Sequence, residues 1–131
     1  MAAKITFDLV SPERLLLSQA VDMVTIPGSE GYMGVMAGHM ALVSTLRAGM
    51  INMLNDGTET RFFIIGGFAE INAHQVTVLA EEALPMSELD LAVLDQRIKD
   101  AQDDEIAAKT DADRQKAAEL VDDLKLVRAI F

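Results

Sequence analysis

From Ile5 to Ala83 the apolar residues alternate or form short blocks, and after Pro85 they change to helical spacing. That switch constrains the fold most, because side chains alternate across a strand but repeat every 3.6 residues along a helix. Ile5, Phe7 and Leu9, Leu15 to Leu17, Val24 and Ile26, Ile51 and Met53, Phe62 to Ile65, and Val76 and Val78 read as strands. Asn55-Asp56-Gly57, between Met50–Leu54 and Arg61–Ile65, is a strong hairpin signal, since such a turn needs positive φ at its centre. Asn72-Ala73-His74-Gln75 is a weaker one. Eight or more short strands with no helix between them predict a mainly β sandwich of two stacked antiparallel sheets over residues 1–85, because only stacking or closure hides apolar faces and edges.

Beyond Pro85, Ser87 offers a cap, Asp90 stands three positions later, and Leu91, Leu94, Ile98 and Ala101 follow at helical spacing. The pattern predicts one helix from Glu88 to about Ala108. Lys109-Thr110-Asp111 supplies a break and a new cap, and Ala117, Leu120, Leu124, Val127 and Phe131 form a second apolar stripe. Residues 86–131 are therefore expected to form a C-terminal antiparallel two-helix hairpin. So short a hairpin buries too little apolar surface to be secure alone, so its stripes must pack together, on the sandwich or on a partner. Detachment is then cheap, which suits a mobile or regulatory element.

The net charge of −10 disfavours nucleic acid and anionic lipid, whose phosphates would repel such a surface. Each half, divided after Pro85, carries −5, so neither is a basic docking arm. Absence of cysteine fits a reducing compartment and excludes thiol catalysis and thiolate metal sites. No apolar run reaches about 18 residues, and the N-terminus lacks a cleavage pattern, so a soluble, cytosolic protein is expected.

Gly28, Gly31, Gly34 and Gly38 fall where the chain must reverse between short strands. A phosphate cradle would need a Lys-Ser or Lys-Thr opening a helix, and none follows Gly38. His39 has no second histidine nearby and no paired Ser or Asp arrangement, and His74 sits in a predicted loop, so neither catalysis nor a metal site is expected. Ser11-Pro12-Glu13 reads as a turn. Asp100, Asp103, Asp104 and Glu105 lack the ladder of a calcium loop and read as a solvated helix face. Of Met33, Met36, Met40, Met50 and Met53, core filling accounts for most, and Met33 and Met36 are the candidates for an adaptable surface.

The stretch from Ile26 to Gly49 also carries a family pattern: Gly28, Glu30, Gly31, Gly34, Gly38, His39, Leu42, Leu46 and Gly49 stand at the spacing G-x-E-G-x-x-G-x-x-x-G-H-x-x-L-x-x-x-L-x-x-G. Val10-Ser11-Pro12-Glu13, Gly66-Gly67-Phe68-Ala69-Glu70-Ile71 and Val76-Thr77-Val78-Leu79-Ala80 extend the match in order over the first 85 residues. In this the chain resembles the epsilon subunits of F-type, proton-translocating ATP synthases. The resemblance implies a non-catalytic subunit of the central stalk, or rotor, that couples rotation of the c-ring to ATP synthesis in the catalytic head. It implies no cofactor and no metal, with the gamma subunit and the c-ring as partners. It places such a protein at the cytoplasmic face of the bacterial inner membrane, peripheral and held there only through the complex.

By position, the resemblance puts Ser29, Glu30, Gly31 and Tyr32 against the c-ring and His39 and Ser44 towards the gamma subunit. Tyr32 stands where relatives are frequently acidic, and Ala37 where a proline is common, so the ring contact is expected to rest on aromatic burial. In some relatives the hairpin binds ATP through I/L-D-x-x-R-A; the residues here are Leu89, Asp90, Leu91, Ala92, Val93 and Leu94. Asp90 is a remnant of that motif, but Val93 removes the phosphate-pairing arginine. Relatives also inhibit ATP hydrolysis by extending basic helix residues towards the beta subunit of the alpha and beta head. Arg114, Lys116, Lys125 and Arg128 are the candidates here, offset by Asp113, Glu119, Asp122 and Asp123, so weak inhibition or none is expected. The rival readings are an ATP-sensing subunit that strongly inhibits hydrolysis, and a small hydrolase using His39 with Asp22 or Glu30.

Overall fold

The computed structural model describes residues 3–130. The chain divides into two units, 1–86 and 87–131. The first contains eight strands: β1 (Ile5–Val10), β2 (Leu15–Val21), β3 (Met23–Gly28), β4 (Gly31–Val35), β5 (Leu42–Thr45), β6 (Gly49–Asn55), β7 (Thr58–Ile71) and β8 (Gln75–Pro85).

The strands are hydrogen-bonded in the order β2-β1-β8-β7-β6-β3-β4, with β5 added along β7. β7 and β8 are long enough to serve twice. Residues 58–64 of β7 pair with β6, whereas 68–71 pair with β5. Residues 75–79 of β8 pair with β1, and 82–85 continue along the first half of β7. The long hairpin thus enters both layers of the sandwich, turning between them at Gly66 and Gly67, whose φ values are +67° and +119°. A conformation that only glycine adopts cheaply is what lets one strand change layer.

The core lies between the layers. Ile5, Phe7 and Leu9 from β1, Val76 and Val78 from β8, and Ala69 and Ile71 from β7 meet Val24, Ile26, Val35, Ile51, Met53 and Ile64. Phe7 is fully buried, and burial of a side chain of this size stabilises the fold by about 1.5–3 kcal/mol. The Asn55-Asp56-Gly57 turn forms as expected, with Asn55 paired to Thr58 and positive φ at Asp56 and Gly57. The second turn also forms, closed by the Asn72 carboxamide oxygen, which accepts from the N–H groups of His74 (2.8 Å) and Gln75 (2.9 Å).

Three expectations for the sandwich need correction. The sandwich is not wholly antiparallel, because β1 runs parallel to β8, with Thr6 opposite Gln75. Alternating burial reports which face a strand shows to the core, not the direction of its neighbour. Gly28 and Gly34 lie within strands without positive φ; of the four glycines read as reversal points, Gly31 and Gly38 have it. Met33 packs against the core while Met40 is 82% exposed, so Met36 and Met40 are the surface methionines.

In the second unit a short 3-10 turn precedes α1 (Leu91–Ala107), and α2 (Asp111–Arg128) follows. Asp90, not Ser87, caps α1: its carboxylate accepts from the Val93 N–H at 2.8 Å. Thr110 caps α2 through the Asp113 N–H at 3.1 Å. Leu94 and Ala101 are buried on α1, and Val121, Leu124 and Val127 on α2. Ala117 and Leu120 are half-buried, Leu91 is exposed, and Phe131 lies outside the described residues.

Candidate functional site

Ser29 and Glu30 form the tip of the β3–β4 hairpin, between the paired residues Gly28 and Gly31. The four positions Ser29 to Tyr32 are exposed. The turn is tied from one side by the Ser29 N–H, which donates to the Thr45 carbonyl at 3.0 Å. It is tied from the other by Tyr32, whose hydroxyl accepts from the Met50 N–H at 3.1 Å. Tyr32 is 57% exposed, which leaves much of its ring open at the surface.

His39 and Ser44 lie on one segment that leaves β4 and becomes β5. The Gly38 N–H donates to the Ala73 carbonyl at 2.8 Å, fastening this segment to the β7–β8 turn. The His39 Nδ1 lies 2.6 Å from the Met40 carbonyl, which can only accept, so Nδ1 is the ring's donor at this contact. Ser44 donates to the Thr45 carbonyl at 3.0 Å and shares the inner face of β5 with its partner Ala69. A Cβ built on Gly28 would lie 3.4 Å from the Ser44 Oγ, so the base of the Ser29–Glu30 turn abuts this segment. The apolar surface here belongs to residues that the sequence did not mark as an interface: Met40, Val43 at 68% exposure, and Leu42 at 42%. Met40 to Val43 is an unbroken apolar run of the kind found in a core, and its exposure shows only in the structure, where β5 adds along β7.

Asp22 does not reach His39. Its carboxylate accepts from the Asp56 N–H at 2.8 Å and from the Lys4 ammonium at 3.0 Å, and Lys4 also bonds Asp56 at 3.0 Å and the Asn55 carboxamide. The backbone N–H of Asp56 and then Lys4 hold Asp22 below the usual carboxylate range; hydrogen bonds to Asp22 and then Asp56 raise Lys4. The cluster fastens the β2–β3 and β6–β7 turns to the start of β1. Among the described residues, no group of three or more His, Cys, Asp or Glu side chains could hold a metal ion, and no helix is long and apolar enough to cross a membrane. His74 is exposed in its turn.

On the helices, Arg114 pairs with Asp111 at 2.9 Å, and Arg128 of α2 reaches Asp95 of α1 at 2.8 Å. Lys116 and Lys125 are exposed, as are Ile106 (84%) and Leu126 (67%). Asp90 and Val93 meet in the helix cap, which gives Asp90 a structural task of its own.

Residues 4–86 match the family model described as "ATP synthase, Delta/Epsilon chain, beta-sandwich domain". Over 98% of both chains, the sequence is 54% identical to the ATP synthase epsilon chain of Parvibaculum lavamentivorans. The chain belongs to the ATP synthase epsilon-chain family. The epsilon chain of Maricaulis maris is 45% identical over 99% of this chain and 98% of its own. Among solved structures, a chain of the Euglena gracilis mitochondrial ATP synthase, determined as OSCP/F1/c-ring, superposes with a TM-score of 0.80 at 27% identity, covering 99% of this epsilon-family chain and 82% of its own. A chain from the central stalk and c-ring of the Tetrahymena thermophila mitochondrial enzyme shares the fold, with a TM-score of 0.73 at 17% identity and coverage of 97% and 98%.

Proposed function

We propose that this epsilon-family chain is a non-catalytic subunit of the central stalk, coupling proton-driven rotation of the c-ring to ATP synthesis in the catalytic head. The observation that carries the reading is the match along the whole chain, sandwich and helices together, in sequence to epsilon chains and in fold to a chain of a solved ATP synthase. The exposed turn Ser29, Glu30, Gly31 and Tyr32 is the contact with the c-ring. The segment carrying His39 and Ser44, with Met40 and Val43 beside them, is the contact with the gamma subunit. Both lie at one corner of the sandwich, where Gly28 approaches Ser44, so a load taken up from the ring has a short route to the stalk. The protein works at the cytoplasmic face of a bacterial inner membrane, held there by the complex.

The helices act as a weak inhibitor or none. Two of the four candidate cations, Arg114 and Arg128, are already paired with Asp111 and Asp95, and an unpaired basic face is what docking on an acidic site would need. The rival, an ATP sensor that strongly inhibits hydrolysis, is weakened by Val93 and by the use of Asp90 as a cap. The test is reconstitution: vesicles carrying ATP synthase stripped of this chain are assayed for proton-driven ATP synthesis before and after its addition. Restored synthesis is expected. Full coupled synthesis without the chain would overturn the reading.

A further inference from the structure

The Tyr32 hydroxyl makes a bond that an exposed interface aromatic has no need to make. Tyr32 lies opposite Pro27 in the β4–β3 ladder. The β3–β6 ladder runs from Met23↔Leu54 to Thr25↔Asn52 and stops there. Beyond that point Pro27 has no N–H, and its carbonyl is taken by the Arg47 N–H at 2.9 Å. The Met50 N–H goes instead to the Tyr32 phenol, which stretches from β4 across β3 to β6, a span on the order of 10 Å at ordinary strand spacing.

Gly49 makes room for this crossing. A Cβ there would lie 2.6 Å from the Tyr32 hydroxyl and 3.0 Å from the Pro27 Cβ. Gly49 is not among the glycines with positive φ, so its lack of a side chain serves space and not backbone conformation. Two residues of the glycine-rich stretch, 17 positions apart, thereby explain each other.

We propose that Tyr32 is a positioning residue within the ring contact: it braces the Ser29–Glu30 turn by spanning β4 to β6 and so holds Glu30 at the tip. This rests on the reading of that turn as the c-ring contact. With the Ser29 N–H on the Thr45 carbonyl and the phenol on the Met50 N–H, both flanks of the turn are fixed while Glu30 stays exposed at its tip. A tip fixed beforehand loses less conformational freedom on docking than a loose one. A carboxylate side chain at position 32 is too short for this span.

The experiment compares the full chain with Tyr32→Phe, Gly49→Ala and Glu30→Ala. Amide hydrogen exchange is followed at Met50 and across residues 29–31, with Ile64 and Val78 reporting the intact core. Tyr32→Phe keeps the ring and removes the acceptor, so exchange at Met50 and in the turn is expected to quicken about tenfold while the core amides hold. Gly49→Ala, which displaces the phenol, is expected to do the same. Each chain is then titrated into ATP synthase stripped of it, where Tyr32→Phe and Glu30→Ala are both expected to weaken association about tenfold. Unchanged exchange at Met50 in Tyr32→Phe overturns the brace. Quickened exchange with wild-type association, while Glu30→Ala still weakens it, overturns the positioning role and leaves the ring reading standing. Wild-type association in both variants removes the ring reading, and the proposal falls with it.

Discussion

The Leu79 carbonyl oxygen stands where a side chain on Gly67 would begin, 2.0 Å from a Cβ built there. Gly67 also has a φ of +119°, which other residues rarely adopt. Both facts arise because two strands bend together from one layer into the other. Gly67→Ala is therefore expected to cost about 3 kcal/mol or more in urea unfolding. Gly66→Ala should cost less, about 1–2 kcal/mol, since its near neighbour is the movable end of the Glu81 side chain. Equal, small losses at both positions would contradict this account of the bend.

The Lys4–Asp22–Asp56 cluster predicts how stability responds to acid. Because Asp22 titrates below its ordinary value when folded, its contribution is present above the unfolded carboxylate pKa of about 3.9 and is lost as pH falls through the lower folded value. Asp22→Asn should be less stable at neutral pH and lose less than the wild type as the solution is taken below about pH 4. Lys4, raised in the fold, acts oppositely and loses its contribution only in strong alkali. Denaturant midpoints measured across pH check the sign.

Asp90 separates a cap from a nucleotide ligand. Asp90→Ala should destabilise α1 by about 1 kcal/mol, seen as lower helicity or a lower midpoint for the helical unit. Titration calorimetry with Mg-ATP should show no binding by either the wild type or the variant. Heat of binding that vanishes in Asp90→Ala would mean that the carboxylate serves ATP.

Removing residues 87–131 should leave ATP hydrolysis by the assembled enzyme little changed, and the remaining sandwich still able to bind. Strong stimulation of hydrolysis by the same truncation would show that the helices inhibit despite the pairing of Arg114 and Arg128.

Much of this fold is legible in the sequence because it is local. The Asp56-Gly57 turn, the alternation of Ile5, Phe7 and Leu9, and the Thr110 cap each depend on a few neighbouring residues. What escaped depends on distant ones. The parallel pairing of Thr6 with Gln75 leaves no mark on either strand. The surface at Met40, Leu42 and Val43 has the composition of a core strand, and the function of Gly49 is invisible until the Tyr32 hydroxyl lies above it. In the glycine-rich stretch one purpose was readable and the other was not: Gly31 and Gly38 serve backbone rotation, as their place in turns suggests, whereas Gly28 and Gly49 serve closeness.

The shared β7–β8 hairpin has a further effect on how the sandwich comes apart. Had each layer been closed on itself, one could melt while the other persisted, since side-chain packing alone would join them. Here the same two strands are central to both, so fraying that reaches Gly66 and Gly67 from either end removes hydrogen bonds from both layers at once. The unit from β1 to β8 has no internal seam along which to open by halves, and it is expected to unfold as a single cooperative body.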